Sequence, residues 1–325
     1  MVANKSQRRI ANSVRGMTVA MTLLLTTVAL PLRAQSDLSG SWLLQEDEDV
    51  MERIAGPVAD DFTGIPLNDS GRALGLSYSP SSLSEPERIC RQEPLFSNAI
   101  GPWNLNIWPQ VNPATRQVVA WHLSGTESHS EMTIWMDGRP QPSKDALHLR
   151  GGFTTGTWKG DMLIAQSTHL EAGILRRSGA FSSDKTTMTT TFIPHGDLLA
   201  AAYIINDPIY LTEPYPYTVT YVRTDRPVGR DWDLCIVGYE GVDEGQVPFY
   251  LPGKNPLVGQ MKKIYNIPEE ASLGGAQTMY PAFRDKLKAQ YLKLYSTFPK
   301  KCTLYCTTSF GPPPPRKGSG KGSGN

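Results

Sequence analysis

Between residues 38 and 222 the chain is a succession of short segments of alternating or β-branched character. Gly, Pro, Asn and Asp break them at intervals of roughly ten to fifteen residues, the spacing of strands joined by turns. Alternation with a period of two gives each segment one face for a core and one for its surroundings, which an α-helix of period 3.6 cannot do. The strands expected from this pattern are 40–45, 103–108, 117–122, 132–137, 154–159, 161–168, 186–193, 198–205 and 216–223. In Thr133-Ile134-Trp135-Met136 both faces are apolar, so that strand should be covered on both sides. Trp158-Lys159-Gly160-Asp161-Met162 places a tight turn between two strands, where Gly160 supplies a positive φ. The expected architecture is mainly β, an antiparallel barrel or strongly curved sheet.

What flanks this region is different in kind. Residues 1–16 carry Lys5, Arg8, Arg9 and Arg15 with no acidic residue, and an uncharged, mostly apolar run follows to Leu32-Arg33-Ala34. That is the order of a secretory signal peptide. The run of about 16 residues is shorter than the roughly 20 a membrane-spanning helix needs. Residues 1–34 are therefore expected to be removed, leaving a soluble periplasmic or secreted protein with no stable membrane insertion. Arg8-Arg9 raises twin-arginine export, but Ile10-Ala11 suits ordinary secretion better.

Basic and acidic residues nearly balance, 32 against 31. Without Lys5, Arg8, Arg9, Arg15 and Arg33 the mature chain is mildly acidic, and no basic stripe invites nucleic acid. Cys90, Cys235, Cys302 and Cys306 are even in number in a chain bound for an oxidising compartment, which favours disulfides. Cys90–Cys235 with Cys302–Cys306 is the expected pairing among three. No CxxC or HxH spacing points to a metal.

Asn68-Asp69-Ser70 ahead of Arg72, Ala73 and Leu74 predicts a short capped helix over 68–76. Beyond Arg223, Tyr280, Phe283, Leu287, Tyr291 and Leu294 recur at spacings of three and four, the pattern of an amphipathic helix. The division expected is a β domain over 35–223, a mostly helical extension over 224–310 and a tail over 311–325. Pro312-Pro313-Pro314-Pro315 and the Lys, Gly and Ser that follow cannot bury enough apolar surface to fold.

Two resemblances bear on this reading. Asp37-Leu38-Ser39-Gly40-Ser41-Trp42, with its Gly-x-Trp on the first strand, resembles the opening of lipocalins, avidins and the other calycin barrels. A longer set resembles an uncharacterised family of exported bacterial proteins: Ile134-Trp135-Met136-Asp137-Gly138-Arg139, then Trp158-Lys159-Gly160-Asp161-Met162-Leu163, then Asn206-Asp207-Pro208. The similarity extends over about 37–240. The roughly 290 residues that follow the signal peptide suffice for one large β domain with additions or for two modest domains. That family implies no activity. Its pattern implies Arg at Met132, His at Gln141 and Phe153, and Glu at Lys159 and Val237. The replacements imply either that the fold does not need those groups or that the site here is more apolar.

Among chemical groups, His122, His129, His148, His169 and His195 are scattered. His122, near Glu127 and Asp137, could serve as an acid or base near neutral pH, and His169 follows a strand. Asp137 and Asp161 could form a carboxylate pair, but Asp beside Gly also suits a turn that Arg139 closes. Ser182-Ser183-Asp184-Lys185 has SxxK spacing in β rather than helical context. No GxSxG, phosphate loop or dinucleotide fingerprint is present, so no cofactor is expected.

Trp42, Trp103, Trp108, Trp121, Trp135 and Trp158 all fall on expected strands, and alternation turns some of them inward. Two functions follow as expectations. One is a binding protein for a small apolar or aromatic ligand, with Trp121, Trp135 and Trp158 in the wall. The other is a cofactor-free isomerase, cyclase or lyase using His122, Asp137, Arg139 or His169 in the same cavity. A purely structural role is a third.

Overall fold

The computed structural model describes residues 36–45, 59–79, 91–97, 104–125, 131–226, 228, 247–283 and 285–288. The segment expected to be a signal peptide, the four cysteines, Trp103, His129, Val237, the end of the segment expected to be an amphipathic helix and the expected tail lie outside the described residues. Eleven strands form: β1 (Gly40–Leu44), β2 (Leu105–Val111), β3 (Val118–Gly125), β4 (Met132–Trp135), β5 (Phe153–Lys159), β6 (Met162–Thr168), β7 (Gly173–Arg176), β8 (Ala180–Ser182), β9 (Thr187–His195), β10 (Leu198–Asn206) and β11 (Tyr215–Thr224). Nine close into a barrel in the order β1-β11-β10-β9-β6-β5-β4-β3-β2, while β7 and β8 pair separately. Closure leaves no unpaired sheet edge.

All nine expected strands are barrel strands, with ends shifted by a few residues. The β7–β8 hairpin was not legible in the sequence, because three- and four-residue strands with a register shift between Ile174 and Arg176 carry too little alternation. The expectation of a wholly antiparallel sheet is corrected at one place. Strands β4 and β5 pair in parallel, Ile134 opposite Thr154 and Trp135 opposite Thr155. Two parallel neighbours require the connection to travel the length of the barrel. Residues 136–152 do so as an outer strap, tied down where Gln141 donates to Thr155 Oγ1 and where Leu149 N–H donates to the His169 carbonyl.

The inner wall follows from the register. Trp121, Ile134, Thr154, Ser167, Met188 and Ile205 form one continuous row across six strands. The buried cluster runs from such rows to Phe62, Ile65, Leu95, Phe96 and Leu170, which come from connecting segments. Trp42 is fully buried and donates from Nε1 to the Leu38 carbonyl at 3.0 Å. Arg223 lies over its ring at 4.4 Å and donates to the Ser39 carbonyl, fixing the chain where it enters β1. The predicted Gly160 turn is present with φ 68°.

Helix α1 (Asp69–Ser77) starts where predicted, with Asn68 Oδ1 accepting from Gly71 N–H at 2.9 Å. Helices α2 (Gln260–Tyr265) and α3 (Glu269–Ser272) and a 3-10 turn (Gly275–Met279) follow the barrel, and residues 281–283 and 285–288 are helical. This segment is clasped to residues 60–79. The buried Asp60 carboxylate accepts from Gly259 N–H (2.7 Å) and Met261 N–H (3.2 Å), and Arg72 donates to the Leu273 carbonyl. Among the described residues no helix is long and apolar enough to cross a membrane.

Candidate functional site

The barrel wall sorts the sequence-derived candidates by the face on which each residue falls. Trp121 and Trp158 point inward, each two residues along its strand from another buried position, Leu123 and Gly156. Trp135 falls between buried Ile134 and the strap and points outward, with the Arg139 guanidinium 3.5 Å from its ring centre. Trp108 is also outward, stacked on His122 with centroids 5.5 Å apart.

His122 is an outer-face residue. Its Nε2 is 3.2 Å from Gln110 Oε1, and its Nδ1 is 3.1 Å from Thr133 Oγ1 and 3.3 Å from a Glu131 carboxylate oxygen. Glu131, at the entry to β4, is a partner that sequence spacing did not suggest, because only the His122–Thr133 register brings it near. Asp137 and Arg139 close on each other through a bidentate pair, Nε to Oδ1 at 2.9 Å and Nη2 to Oδ2 at 2.6 Å. The hydrogen bond from Arg139 holds the Asp137 carboxyl down at about 2. His169 sits at the strap, with φ 54°, a conformation uncommon for a side-chain-bearing residue. Its Nε2 donates to the Ser143 carbonyl at 2.8 Å, and its ring lies 5.3 Å from that of His148. These four residues thus lie on the outer wall and the strap and do not meet on one inward surface.

The inner wall carries different chemistry. Thr154 and Ser167 share a hydroxyl–hydroxyl hydrogen bond of 2.7 Å. Tyr221 bonds to Tyr203, whose hydroxyl burial raises to a pKa of about 12, keeping it neutral. Three buried polar atoms, Trp121 Nε1, Trp158 Nε1 and Thr190 Oγ1, have no hydrogen-bond partner among the described residues. Two are obligate donors and the third can donate. Thr190 was missed in the sequence because a Thr within Thr187-Met188-Thr189-Thr190-Thr191 reads only as strand propensity. Met132, at which the chain departs from the family it resembles, is buried on this wall opposite Leu123.

A separate concavity of ≈ 600 Å³ lies outside the barrel between Thr63 and the helical segment carrying Pro281, Phe283 and Leu287. Among the described residues no three His, Cys, Asp or Glu side chains gather as metal ligands.

No family model matches the chain, and no curated protein matches it. Among solved structures the chain is similar to secretory abundant heat soluble protein 4 from Ramazzottius varieornatus. The likeness covers 57% of this chain and 94% of that one, at 12% identity and a TM-score of 0.25.

Proposed function

We propose that this chain is an exported protein that binds a small apolar or aromatic molecule inside its barrel, in the manner of a lipocalin-like carrier. The observation that carries the reading is the pair of buried indole N–H groups, Trp121 Nε1 and Trp158 Nε1, together with Thr190 Oγ1. Leaving a buried donor unpaired costs about 1–3 kcal/mol, and an acceptor on a bound molecule removes that cost. The ligand class follows from the wall. Its aromatic and aliphatic rows offer large contact area, and neutral donors suit a carbonyl or ether oxygen better than a carboxylate. The alternative of a cofactor-free isomerase, cyclase or lyase draws no support from the outward placement of His122, Asp137, Arg139 and His169.

Native mass spectrometry of the protein purified from its own host tests the reading. A retained small-molecule adduct is expected, reduced in occupancy in Trp121→Phe and Trp158→Phe. Protein that carries no adduct under gentle conditions would count against tight binding.

A further inference from the structure

The outward positions of β6, β9, β10 and β11 carry no Asp, Glu, Lys or Arg, and apart from His195 at the end of β9 they are Thr, Ala, Ile, Leu and other uncharged residues. Soluble surfaces normally carry charges throughout, so four adjacent strands without one are a strong departure. Register makes them a continuous patch. Ala202 stands between Thr191 and Thr218, and Ala200 between Ile193 and Thr220. Ile204 and Leu198 rise at the two ends of β10, 49% and 43% exposed, with the two alanines forming a shallow valley between them. Charges stand in the turns that rim the patch, among them Asp161 before β6, Asp184 and Lys185 before β9, Asp197 before β10, Glu213 before β11 and Asp225 and Arg226 after it. A neutral centre inside a charged rim is the anatomy of a protein–protein interface.

We propose that this face is the contact between two copies of the chain, packed sheet on sheet about a two-fold axis. A two-fold contact sets each patch against itself, and a patch without charges meets its own copy with no like-charge repulsion. The ridge of Ile204 on one copy faces the Ala200–Ala202 valley of the other. Strand spacing and rise make the patch about 19 Å by 27 Å. Two such footprints total on the order of 1,000 Å², the lower bound for a specific interface, so the dimer is weak and forms as concentration rises. A lipid surface fits less well, because hydroxyl-bearing Thr occupies the centre and no Lys or Arg stands on the face to meet anionic headgroups.

Sedimentation equilibrium of the purified chain over a wide range of concentrations tests the proposal. The weight-average mass should climb from monomer toward dimer. Ala202→Arg, which sets two cations against each other near the axis, should weaken association at least tenfold, and Gln117→Arg on the far side of the barrel should leave it unchanged. Thr218→Lys, at an exposed position, gives the same answer if Ala202→Arg disturbs folding by its urea midpoint. A monomer at every concentration, or a dimer indifferent to both variants, overturns the proposal. Co-sedimentation with phosphatidylcholine vesicles that Ala202→Arg abolishes would assign the face to lipid instead and overturn it equally.

Discussion

The two flanks of this barrel are built from strands of the same alternating kind, yet they meet their surroundings in opposite ways. On the β2–β3–β4 side the outward residues include Trp108, His122 and Trp135, and other parts of the chain pack on them. Arg139 lies on Trp135, Trp108 stacks on His122, and the strap of residues 136–152 crosses over. On the β9–β10–β11 side the outward residues are neutral, and Ile204 and Leu198 remain exposed. The parallel β4–β5 pair accounts for part of the difference. It requires a long connection, which supplies Arg139 to Trp135 and Gln141 to Thr155 and Thr168, while His122 is held by neighbouring strands. The long connection on the other flank, residues 169–186 between β6 and β9, folds into the β7–β8 hairpin, which packs against helix α1.

Truncating one isoleucine of the inner wall and one of the neutral outer face gives the largest contrast. Ile134→Ala removes a fully buried inward side chain of β4 and should cost about 2–5 kcal/mol by urea denaturation. Ile204→Ala on the neutral flank should stay within about 0.5 kcal/mol when the protein is dilute. A large loss at Ile204 under those conditions would mean that the chain covers both flanks.

Between the flanks lies the shared interior, where Thr190→Val deletes an unpartnered hydroxyl while keeping the shape. Ligand-free protein should gain about 1 kcal/mol, read as a higher urea midpoint. A loss would mean that the hydroxyl already has a partner inside the barrel.

Arg139→Ala should leave the urea midpoint nearly unchanged, since exposed ion pairs contribute little, yet it uncovers Trp135 and should change tryptophan emission. Unchanged emission would show that the guanidinium does not rest on that ring in solution.

Smallest of all are two pH slopes of opposite sign. Asp137 is held at about 2 by the Arg139 hydrogen bond, against 3.8 ordinarily. Its contribution is complete above pH 3.8 and lost as pH falls toward 2, so Asp137→Asn should flatten the urea midpoint in that window. Asp60 is shifted upward by burial. Just above pH 3.8 its unfolded form ionises first, so stability falls as pH rises, and Asp60→Asn should remove that slope. Slopes of the same sign would contradict the contrast between the buried clamp and the exposed pair.

Much of this fold was legible in the sequence because its signals are local. The β-rich run Thr186 to Thr191, the turn glycine at Gly160 and the Asn68 cap each depend on neighbours within a few positions. The inward direction of Trp121 and Trp158 was available only as a choice between two faces. Spacing suggested Glu127 and Asp137 as neighbours of His122, whereas register supplies Glu131, Thr133 and Gln110.

The sequence by itself determined where the nine barrel strands and the first helix lie, since a period of two and a capping side chain act over a few residues. Only the tertiary structure decided that those strands close into one barrel, that β4 and β5 run parallel, and that two indoles and a threonine hydroxyl share its interior. It also gathered the neutral positions of β6, β9, β10 and β11 into one face. The physical reason is that a strand's pattern fixes which residues share a side, while register and closure, made of contacts between residues far apart in the chain, decide what that side meets.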